Sequence, residues 1–323
     1  MSLNCSIHLI TGGAGFIGSN LISELINKGD YVICVDNFLT GNKENISKWL
    51  KHPKFTLINQ TILDDLKLKV NYIWHLACPP SPKYYYQNPI ETSKIIYLGT
   101  LNLLELAKNN NAKFLFASSS EIYGHSKIIP MHEELCGEVL TLSKRSCYSE
   151  AKRLGETLCF DYQRKFGLNI KIARIFNTYG PGMSLNDGRV INTFVVNALN
   201  NKSIMINGDG KQTRSFCYVD DIIEGILKLM FSKFDGVFNL GYPEEITILE
   251  LAETILNKLN SNSDIVFNKI DKDEPLRRKP SINKARKFLY WEPRVNLDNG
   301  LNKTIHFFNS LIHKNNIFNK KNN

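Results

Sequence analysis

Cysteine and histidine are sparse in this chain of 323 residues, which has seven of each. No two cysteines form a CxxC pair, and neither residue type recurs at the spacing of metal ligands. The sequence therefore predicts no disulfide framework and no metal site. Dispersed thiols are typical of small core residues in a reducing compartment, so we expect a cytoplasmic protein. The cysteines are Cys5, Cys34, Cys78, Cys136, Cys147, Cys159 and Cys217.

Long apolar runs are also missing. No stretch reaches the ~18 consecutive apolar residues of a membrane-spanning helix, so a membrane is not an expected partner. The first residues, MSLNCSIHLITGG, lack the charged segment and long apolar stretch of a signal peptide. They are predicted to contain the first strand.

Acidic residues are too few to balance the basic ones. The chain has 31 aspartate and glutamate residues against 40 lysine and arginine residues, which gives a net charge of +9. Such a balance is typical of proteins that bind nucleic acid or a phosphorylated small molecule. No nucleic-acid motif accompanies the charge, which favours the small molecule. Much of the excess lies towards the Asn/Lys-rich end, where 313–323 is predicted to be a flexible tail.

Apolar patterning predicts strands that alternate with helices in the first half of the chain. This alternation is typical of a doubly wound α/β fold, with a parallel sheet covered on both faces. The second half mixes loops, helices and short strands, so a smaller domain interleaved with the first is expected. The predicted strands are Ile7–Thr11, Tyr31–Asp36, Phe55–Asn59, Tyr72–Leu76, Lys113–Ser118 and Ile170–Arg174. The predicted helices are Ile17–Asn27, Glu91–Asn109, Tyr148–Phe166 and Ile248–Leu259, the last with Thr247 as N-cap.

A glycine-rich segment, TGGAGFIGSNL, follows the first predicted strand. Gly13, Gly15 and Gly18 have the G-x-G-x-x-G spacing, and Gly12, Gly15 and Gly18 have a G-x-x-G-x-x-G spacing. Glycines allow a tight turn and a close approach to a pyrophosphate, which the next helix binds at its N-terminus. Asp36 ends the second strand, where it can accept hydrogen bonds from a ribose and repel a 2′-phosphate. The segment therefore predicts a dinucleotide site that prefers NAD over NADP.

Tyr148 and Lys152 stand four residues apart on a predicted helix and share one of its faces. Such a pair is common on helix surfaces, but here it follows a dinucleotide motif and the segment SSSEIYG. A nearby ammonium group favours the phenolate form of a tyrosine, which can then act as a base. We expect Tyr148 to be the catalytic base and Lys152 to assist it.

With these motifs the chain resembles the extended short-chain dehydrogenase/reductase family, and within it the UDP-glucuronate decarboxylases. The resemblance extends from about Ile7 to about Phe308. Its more specific blocks are SPKYYYQNP, NDGRV and GKQTRSFCYVDD, whereas the glycine pattern alone is common. Further matching blocks are DNFLTGNKENI, SSSEIYG, YSEAKR, NLGYPEEITILELA and RRKPSINKA.

The resemblance implies NAD-dependent decarboxylation of UDP-glucuronate to UDP-xylose and carbon dioxide. Tyr148 would remove the proton of the sugar 4-hydroxyl while the C4 hydride passes to NAD. The UDP-4-keto intermediate has its ketone β to the C5 carboxylate, so carbon dioxide can leave. The enolate that remains is protonated at C5, and the returned hydride then restores the 4-hydroxyl. NAD is therefore the expected cofactor and a UDP-sugar the expected substrate.

The resemblance also implies residue roles. Ser119 would contact the sugar 4-oxygen, Glu121 would lie near C5, and Arg214 would meet the sugar carboxylate or the enolate. Arg189 and Arg278 would surround the UDP diphosphate and ribose. The other expected substrate residues are Tyr84, Lys94, Asn177, Gln212 and Tyr218. The expected cofactor residues, besides Tyr148 and Lys152, are Gly12, Gly15, Phe16, Ile17, Gly18, Asp36, Asn37, Phe38, Thr40, Gly41, Thr61, Ile62, Leu76, Ala77, Cys78, Ala117 and Thr178.

Related activities remain as alternatives. A 4,6-dehydratase of this family has an aspartic acid where this chain has Ser120, and a 4-epimerase usually lacks a glutamate at the Glu121 position. These differences favour the decarboxylase over both, and an NAD-binding scaffold without activity is the third alternative. The chain departs from the decarboxylase pattern at Thr61, Cys78, Ile96 and Ser281.

The resemblance finally implies a division into domains and an assembly. Residues 1–176 would form an NAD-binding Rossmann domain, to which 211–240 return. Residues 177–210 and 241–312 would form the nucleotide-sugar domain. The helices Glu91–Asn109 and Tyr148–Phe166 are similar to the pair through which family members dimerise as a four-helix bundle, so a homodimer is expected.

Overall fold

A computed structural model of the chain describes residues 5–269 and 275–321, with side chains as far as residue 314. Its central feature is a parallel sheet with the strand order β11-β6-β5-β4-β1-β2-β3. These strands are β1 Ile7–Thr11, β2 Tyr31–Val35, β3 Phe55–Ile58, β4 Tyr72–His75, β5 Lys113–Ser119, β6 Ile170–Ile175 and β11 Gly236–Leu240. The predicted α/β class with a parallel sheet is confirmed, and each predicted strand starts at the observed residue and ends within one residue of it.

Helices connect these strands and cover both faces of the sheet. They are α1 Phe16–Asn27, α2 Pro82–Gln87, α3 Pro89–Asn110, α4 Ser146–Phe166, α5 Val190–Leu199, α6 Val219–Phe231, α7 Ile248–Leu259, α8 Asn283–Leu289 and α9 Leu297–Lys321. Short 3-10 helices lie at Lys43–Trp49 and Ser120–Tyr123. One core, which includes Leu21, Trp74 and Ile226, and a second, which includes Leu103, Phe114 and Ile172, pack against opposite sides of the sheet.

The second part of the chain adds small sheets. Their strands are β7 Thr178–Tyr179, β8 Ile204–Asn207, β9 Thr213–Arg214, β10 Cys217–Tyr218, β12 Ile246–Thr247, β13 Ile265–Asn268 and β14 Arg277–Arg278. They pair as β10-β7, β12-β9-β14 and β13-β8. Within the predicted returning segment 211–240, β11 joins the large sheet, whereas β9 and β10 pair in the small sheets. Helix α9 continues into the predicted tail 313–323, of which 322 and 323 lie outside the described residues.

The order of the large sheet fixes where a ligand can bind. From β1 the chain proceeds outward to β2 and β3, and it then returns to place β4 on the other side of β1. At such a reversal the connections leave the sheet in opposite directions, which opens a crevice at the carboxyl ends of the strands. The glycine-rich segment follows β1, at this reversal. No helix in the described part of the chain is long and apolar enough to cross a membrane.

Candidate active site

A cavity of about 810 Å³ occupies the crevice. Its walls come from the segments after β1, β2, β4, β5 and β6 and from the small sheets. Both predicted halves of the site thus share one space. All predicted catalytic residues line it, as do all predicted cofactor residues except Phe38 and all predicted substrate residues except Lys94 and Tyr218.

The glycine-rich loop presents backbone rather than side chains to the cavity. Gly15 is the N-cap of α1 and offers no side chain to cap it, so the first N–H groups of the helix remain available to an anion. Gly12 has φ +70°, and a Cβ there would lie 2.8 Å from the Cα of Ala77. Only glycine fits this close contact between loop and sheet.

Asp36 lies at the end of β2 beside this loop and is buried. Its carboxylate accepts hydrogen bonds from the backbone N–H groups of Ala14, at 2.9 Å, and Phe38, at 2.8 Å. Burial raises the pKa of Asp36, while these two hydrogen bonds act in the opposite direction. Each oxygen keeps lone pairs for a further donor, such as a ribose hydroxyl.

The loop and Asp36 together fit a dinucleotide. The uncapped N-terminus of α1 suits a pyrophosphate, and the Asp36 carboxylate suits the ribose hydroxyls. Thr61, one of the departures from the decarboxylase pattern, also lines the cavity. Within the described residues no group of three or more acidic, histidine or cysteine side chains could hold a metal ion.

Tyr148 and Lys152 lie on α4 at the floor of the cavity, and both are buried. Burial, above all, raises the pKa of Tyr148 well above its ordinary value, and a side-chain hydrogen bond with Ser119 acts in the opposite direction. The Lys152 ammonium lies 5.8 Å from the centre of the Tyr148 ring and donates to the Ala117 carbonyl at 2.6 Å. In the ligand-free protein the phenol is therefore protonated at neutral pH.

Tyr85 completes the surroundings of this base. Its ring stacks on that of Tyr148, with centroids 5.5 Å apart and planes at 15°. Ile96, another departure from the family pattern, is fully buried in the same cluster, against which Cys78 also packs. An apolar residue at Ile96 therefore fills space beside the base without exposing a polar group.

Glu121 is an ionised carboxylate held among arginines. Its Oε1 atom lies 2.5 Å from Nη1 of Arg278 and 3.3 Å from Nη1 of Arg145. Burial alone would raise the pKa of Glu121, but the positive charges of Arg278 and Arg145, with Arg214 farther away, lower it to about 2. Glu121 therefore cannot donate a proton at neutral pH in the ligand-free protein.

Arg278 has donors to spare for a ligand. Its side chain is 4% exposed, and its Nε and Nη2 atoms are buried without a hydrogen-bond partner. A buried donor without a partner costs free energy, and an anionic ligand in the cavity would supply the acceptor. Gln212 also has one buried polar atom without a hydrogen-bond partner. Its Nε2 donates to the Asn207 carbonyl at 2.6 Å, but its Oε1, an acceptor, is unpaired.

The other two predicted arginines are held in different ways. Nη1 of Arg214 donates to the backbone carbonyl of Thr213 at 2.8 Å. Arg189 forms a two-point ion pair with Asp187, at 2.5 and 2.7 Å, and lies 5.5 Å from the centre of the Phe16 ring. Sequence similarity placed Arg214 at the C5 end of the sugar and Arg278 around the diphosphate and ribose. In the structure Arg278 forms an ion pair with Glu121, as Arg145 does.

Three predicted residues lie away from the cavity for identifiable reasons. Phe38 turns its ring onto the core, with its backbone at φ 57°. Lys94 lies on the exposed face of α3. Tyr218 is buried against Tyr179, with ring centroids 5.7 Å apart.

Sequence reasoning missed two residues at the centre of the site. Arg145 stands one helical turn before Tyr148, and this spacing alone could have placed it beside the base. Tyr85 is one of three consecutive tyrosines, and the sequence offers no means of choosing among them.

Comparisons with known proteins agree with this geometry. The model of the NAD dependent epimerase/dehydratase family matches residues 8–241. UDP-glucuronic acid decarboxylase 1 of Arabidopsis thaliana is 47% identical over 304 residues, which cover 94% of this chain and 70% of that protein. UDP-glucuronic acid decarboxylase 1 of Danio rerio is 47% identical over 300 residues, which cover 93% of this chain and 72% of that protein.

A solved structure shows the same arrangement of the chain. UDP-glucuronic acid 4-epimerase from Bacillus cereus, in complex with UDP-glucuronic acid and NAD, superposes with a TM-score of 0.87 at 29% identity. The superposition covers 94% of this chain and 99% of that one.

Proposed function

This chain belongs to the NAD-dependent epimerase/dehydratase family, and from that premise we propose that it converts UDP-glucuronate to UDP-xylose and carbon dioxide. The observation that carries the proposal is the ionised Glu121 held by Arg278 and Arg145 beside Tyr148. Guanidinium groups bind carboxylates and stabilise enolates, which are the two anions of a decarboxylation at C5.

The first step belongs to Tyr148. NAD, when bound, supplies a reversible hydride acceptor for C4 of the sugar and a positive charge near the phenol. Tyr148 then takes the proton of the 4-hydroxyl, with the Ser119 hydroxyl bonded beside it. The resulting 4-ketone lies β to the C5 carboxylate and can accept the electrons of the breaking bond.

The arginines around Glu121 assist the loss of carbon dioxide. Arg278 has free Nε and Nη2 donors, so it can align the carboxylate and then stabilise the enolate. Glu121 fixes this guanidinium from the opposite side. We therefore propose that Arg278 shares the role that sequence similarity suggested for Arg214, whose charge also acts on Glu121, and we place Arg189 nearer the nucleotide.

Ser120 favours decarboxylation over dehydration. A departing hydroxyl needs a proton, and a serine hydroxyl is a poor acid at neutral pH. Departing carbon dioxide needs none. Ser120 is buried and lines the cavity at the position where a dehydratase has its acid.

Mass spectrometry of the products from UDP-glucuronate tests the proposal. We expect UDP-xylose and carbon dioxide. An isomer of unchanged mass would instead show a 4-epimerase. A 4-keto-6-deoxy product from UDP-glucose or dTDP-glucose would show a 4,6-dehydratase, and unaltered substrate with NAD bound would show an inactive binding protein.

We also propose a homodimer in the cytoplasm. The support for the dimer is a set of exposed apolar side chains on α3 and α4, and all seven cysteines are free thiols, as suits a reducing compartment.

A further inference from the structure

The segment Gly180–Arg189, here called the strap, forms part of the cavity wall. It connects β7 to α5 and carries Arg189 at its far end. Gly182, Met183 and Ser184 of the strap line the same cavity as Gly15 and Phe16 of the glycine-rich loop. The strap therefore touches the cofactor half of the site, while its last residue serves the substrate half.

Two asparagine amides join the strap to the loop. The Nδ2 atom of Asn20, on α1, donates to the Phe16 carbonyl at 2.9 Å and to the Pro181 carbonyl at 3.0 Å. The Nδ2 atom of Asn45 donates to the Ala14 carbonyl at 3.1 Å and to the Gly182 carbonyl at 3.1 Å. Each amide thus uses both of its N–H groups, one on the loop and one on the strap.

The backbone at this junction favours glycine. Gly182 has φ +97°, and a Cβ there would lie 3.2 Å from Nδ2 of Asn20 and 3.4 Å from Oγ of Ser19. Any other residue would be strained at this φ, and its Cβ would crowd the amide of Asn20. A side chain at Gly182 would therefore disturb the junction that the two amides make.

The other end of the strap is held as well. The Ser81 hydroxyl donates to the Asp187 carbonyl at 2.7 Å, and the Asp187 carboxylate fixes the Arg189 guanidinium. That guanidinium lies over the Phe16 ring, so both ends of the strap rest on the glycine-rich loop. A shift at Gly182 would therefore move Arg189 relative to a bound ligand.

We propose that Asn20 and Asn45 are positioning residues that fix the strap so that Arg189 meets the diphosphate of the nucleotide sugar. This inference rests on the proposed function, because it assumes that a UDP-sugar fills the substrate half. The two asparagines act through Arg189 rather than on the substrate. They also make the position of Arg189 depend on the loop that binds the cofactor.

A double-mutant cycle tests the inference. The dissociation constant of UDP is measured by calorimetry on NAD-saturated protein, with Asn20→Ala or Asn45→Ala made alone and together with Arg189→Ala. A typical hydrogen bond contributes about 1 kcal/mol, so each asparagine variant should weaken UDP binding by roughly threefold to tenfold. With Arg189 already replaced, the same change should cost less than about twofold, because coupled residues are not additive.

Asn110→Ala is the matched control. Its amide donates to the Leu106 carbonyl at 2.9 Å and its carbonyl accepts from the Val70 N–H at 3.2 Å, at the end of α3. This variant also loses asparagine hydrogen bonds, but UDP affinity should not change. Should an asparagine variant fail to fold, Gly182→Ala takes its place in the cycle, made alone and together with Arg189→Ala. Both asparagine amides are kept in these variants.

Equal losses of UDP affinity in the two Arg189 backgrounds would overturn the inference. So would an asparagine variant that lowers NAD affinity and leaves UDP affinity intact. Failure of the unaltered protein to bind UDP would instead count against the proposed function. The two failures are therefore distinguishable.

Discussion

At the scale of single residues, the environment of Tyr148 opposes the charge that the proposed chemistry requires. Its hydroxyl is buried, and the stacked Tyr85 and the nearby Glu121 add to the rise in its pKa. Lys152 donates a hydrogen bond to the Ala117 carbonyl. A positive charge bound beside the phenol, such as that of the NAD ring, would oppose this rise in its pKa.

Tyr148→Phe should abolish turnover of UDP-glucuronate, because it removes the only atom of the side chain that can take the proton. NAD binding should persist, since the ring and its packing remain. Turnover is measured by product mass and NAD binding by calorimetry. Tyr162→Phe removes a hydroxyl from the same helix at a distance and should leave turnover intact. Near-normal turnover in Tyr148→Phe would exclude it as the base.

Glu121 should make the protein sensitive to acid. Its pKa in the folded protein is about 2 against an ordinary 4.5, so its ion pairs stabilise the fold fully above 4.5. That contribution is lost as the pH falls from about 4.5 towards 2. The free energy of unfolding, measured in urea, should therefore fall less steeply with decreasing pH in Glu121→Gln than in the unaltered protein.

Glu253→Gln, on the exposed surface of α7, is the control and should keep the wild-type slope. Glu121→Gln should also lose turnover, because Arg278 loses the partner that fixes it. Identical pH slopes for Glu121→Gln and the unaltered protein would show that the ion pairs of Glu121 do not stabilise the fold in this pH range.

At the scale of elements, the end of β2 decides the choice of cofactor. Asp36 is held by the N–H groups of Ala14 and Phe38, so its charge cannot easily move away from a ribose. A 2′-phosphate at this point would meet a fixed negative charge in a buried setting, where repulsion is strong. The element thus combines recognition of a hydroxyl with rejection of a phosphate.

NAD should bind at least about tenfold more tightly than NADP, which corresponds to ~1.4 kcal/mol. Asp36→Asn should reduce the ratio of NAD affinity to NADP affinity, because the charge that repels the 2′-phosphate is lost. The amide carbonyl still accepts a hydrogen bond from the ribose. Calorimetry with both dinucleotides measures the ratio. Asp64→Asn, an exposed change nearby, should leave it unaltered. Equal affinity of the unaltered protein for NAD and NADP would contradict the role of Asp36.

At the scale of the whole molecule, α3 and α4 pack side by side and leave apolar side chains in solvent. Among the exposed ones are Tyr97 and Leu98 on α3 and Leu154 and Phe166 on α4. An apolar surface shared by two adjacent helices is typical of an interface between copies of a chain. Since α4 also carries Tyr148 and Lys152, such an interface would brace the catalytic helix.

The unaltered protein should therefore be a dimer at micromolar concentration, and the double variant Leu98→Lys, Leu154→Lys should be a monomer. Light scattering gives the mass of each. Leu142→Lys places the same charge on a fully exposed loop leucine and should leave the dimer intact. A monomeric unaltered protein would refute the assembly.

Features set by neighbouring residues could be predicted from the sequence. The strand limits depend on short apolar runs, and the glycine-rich turn on local backbone freedom. Helix α7 starts where predicted, because Thr247 and Glu250 form a capping box within four residues of chain. The Tyr148–Lys152 pair depends only on helical spacing. Similarity to a family added the substrate.

Only the tertiary structure decided which distant residues meet. Glu121 and Arg278 are separated by 157 positions, and their ion pair depends on how β14 lies beside β9 at the cavity. Other tertiary contacts left Lys94 exposed, buried Tyr218 and placed Tyr85 on Tyr148. Periodicity gives the face of an element but not the partner of that face. The partner is set by long-range packing, and that packing brought Arg278 to Glu121.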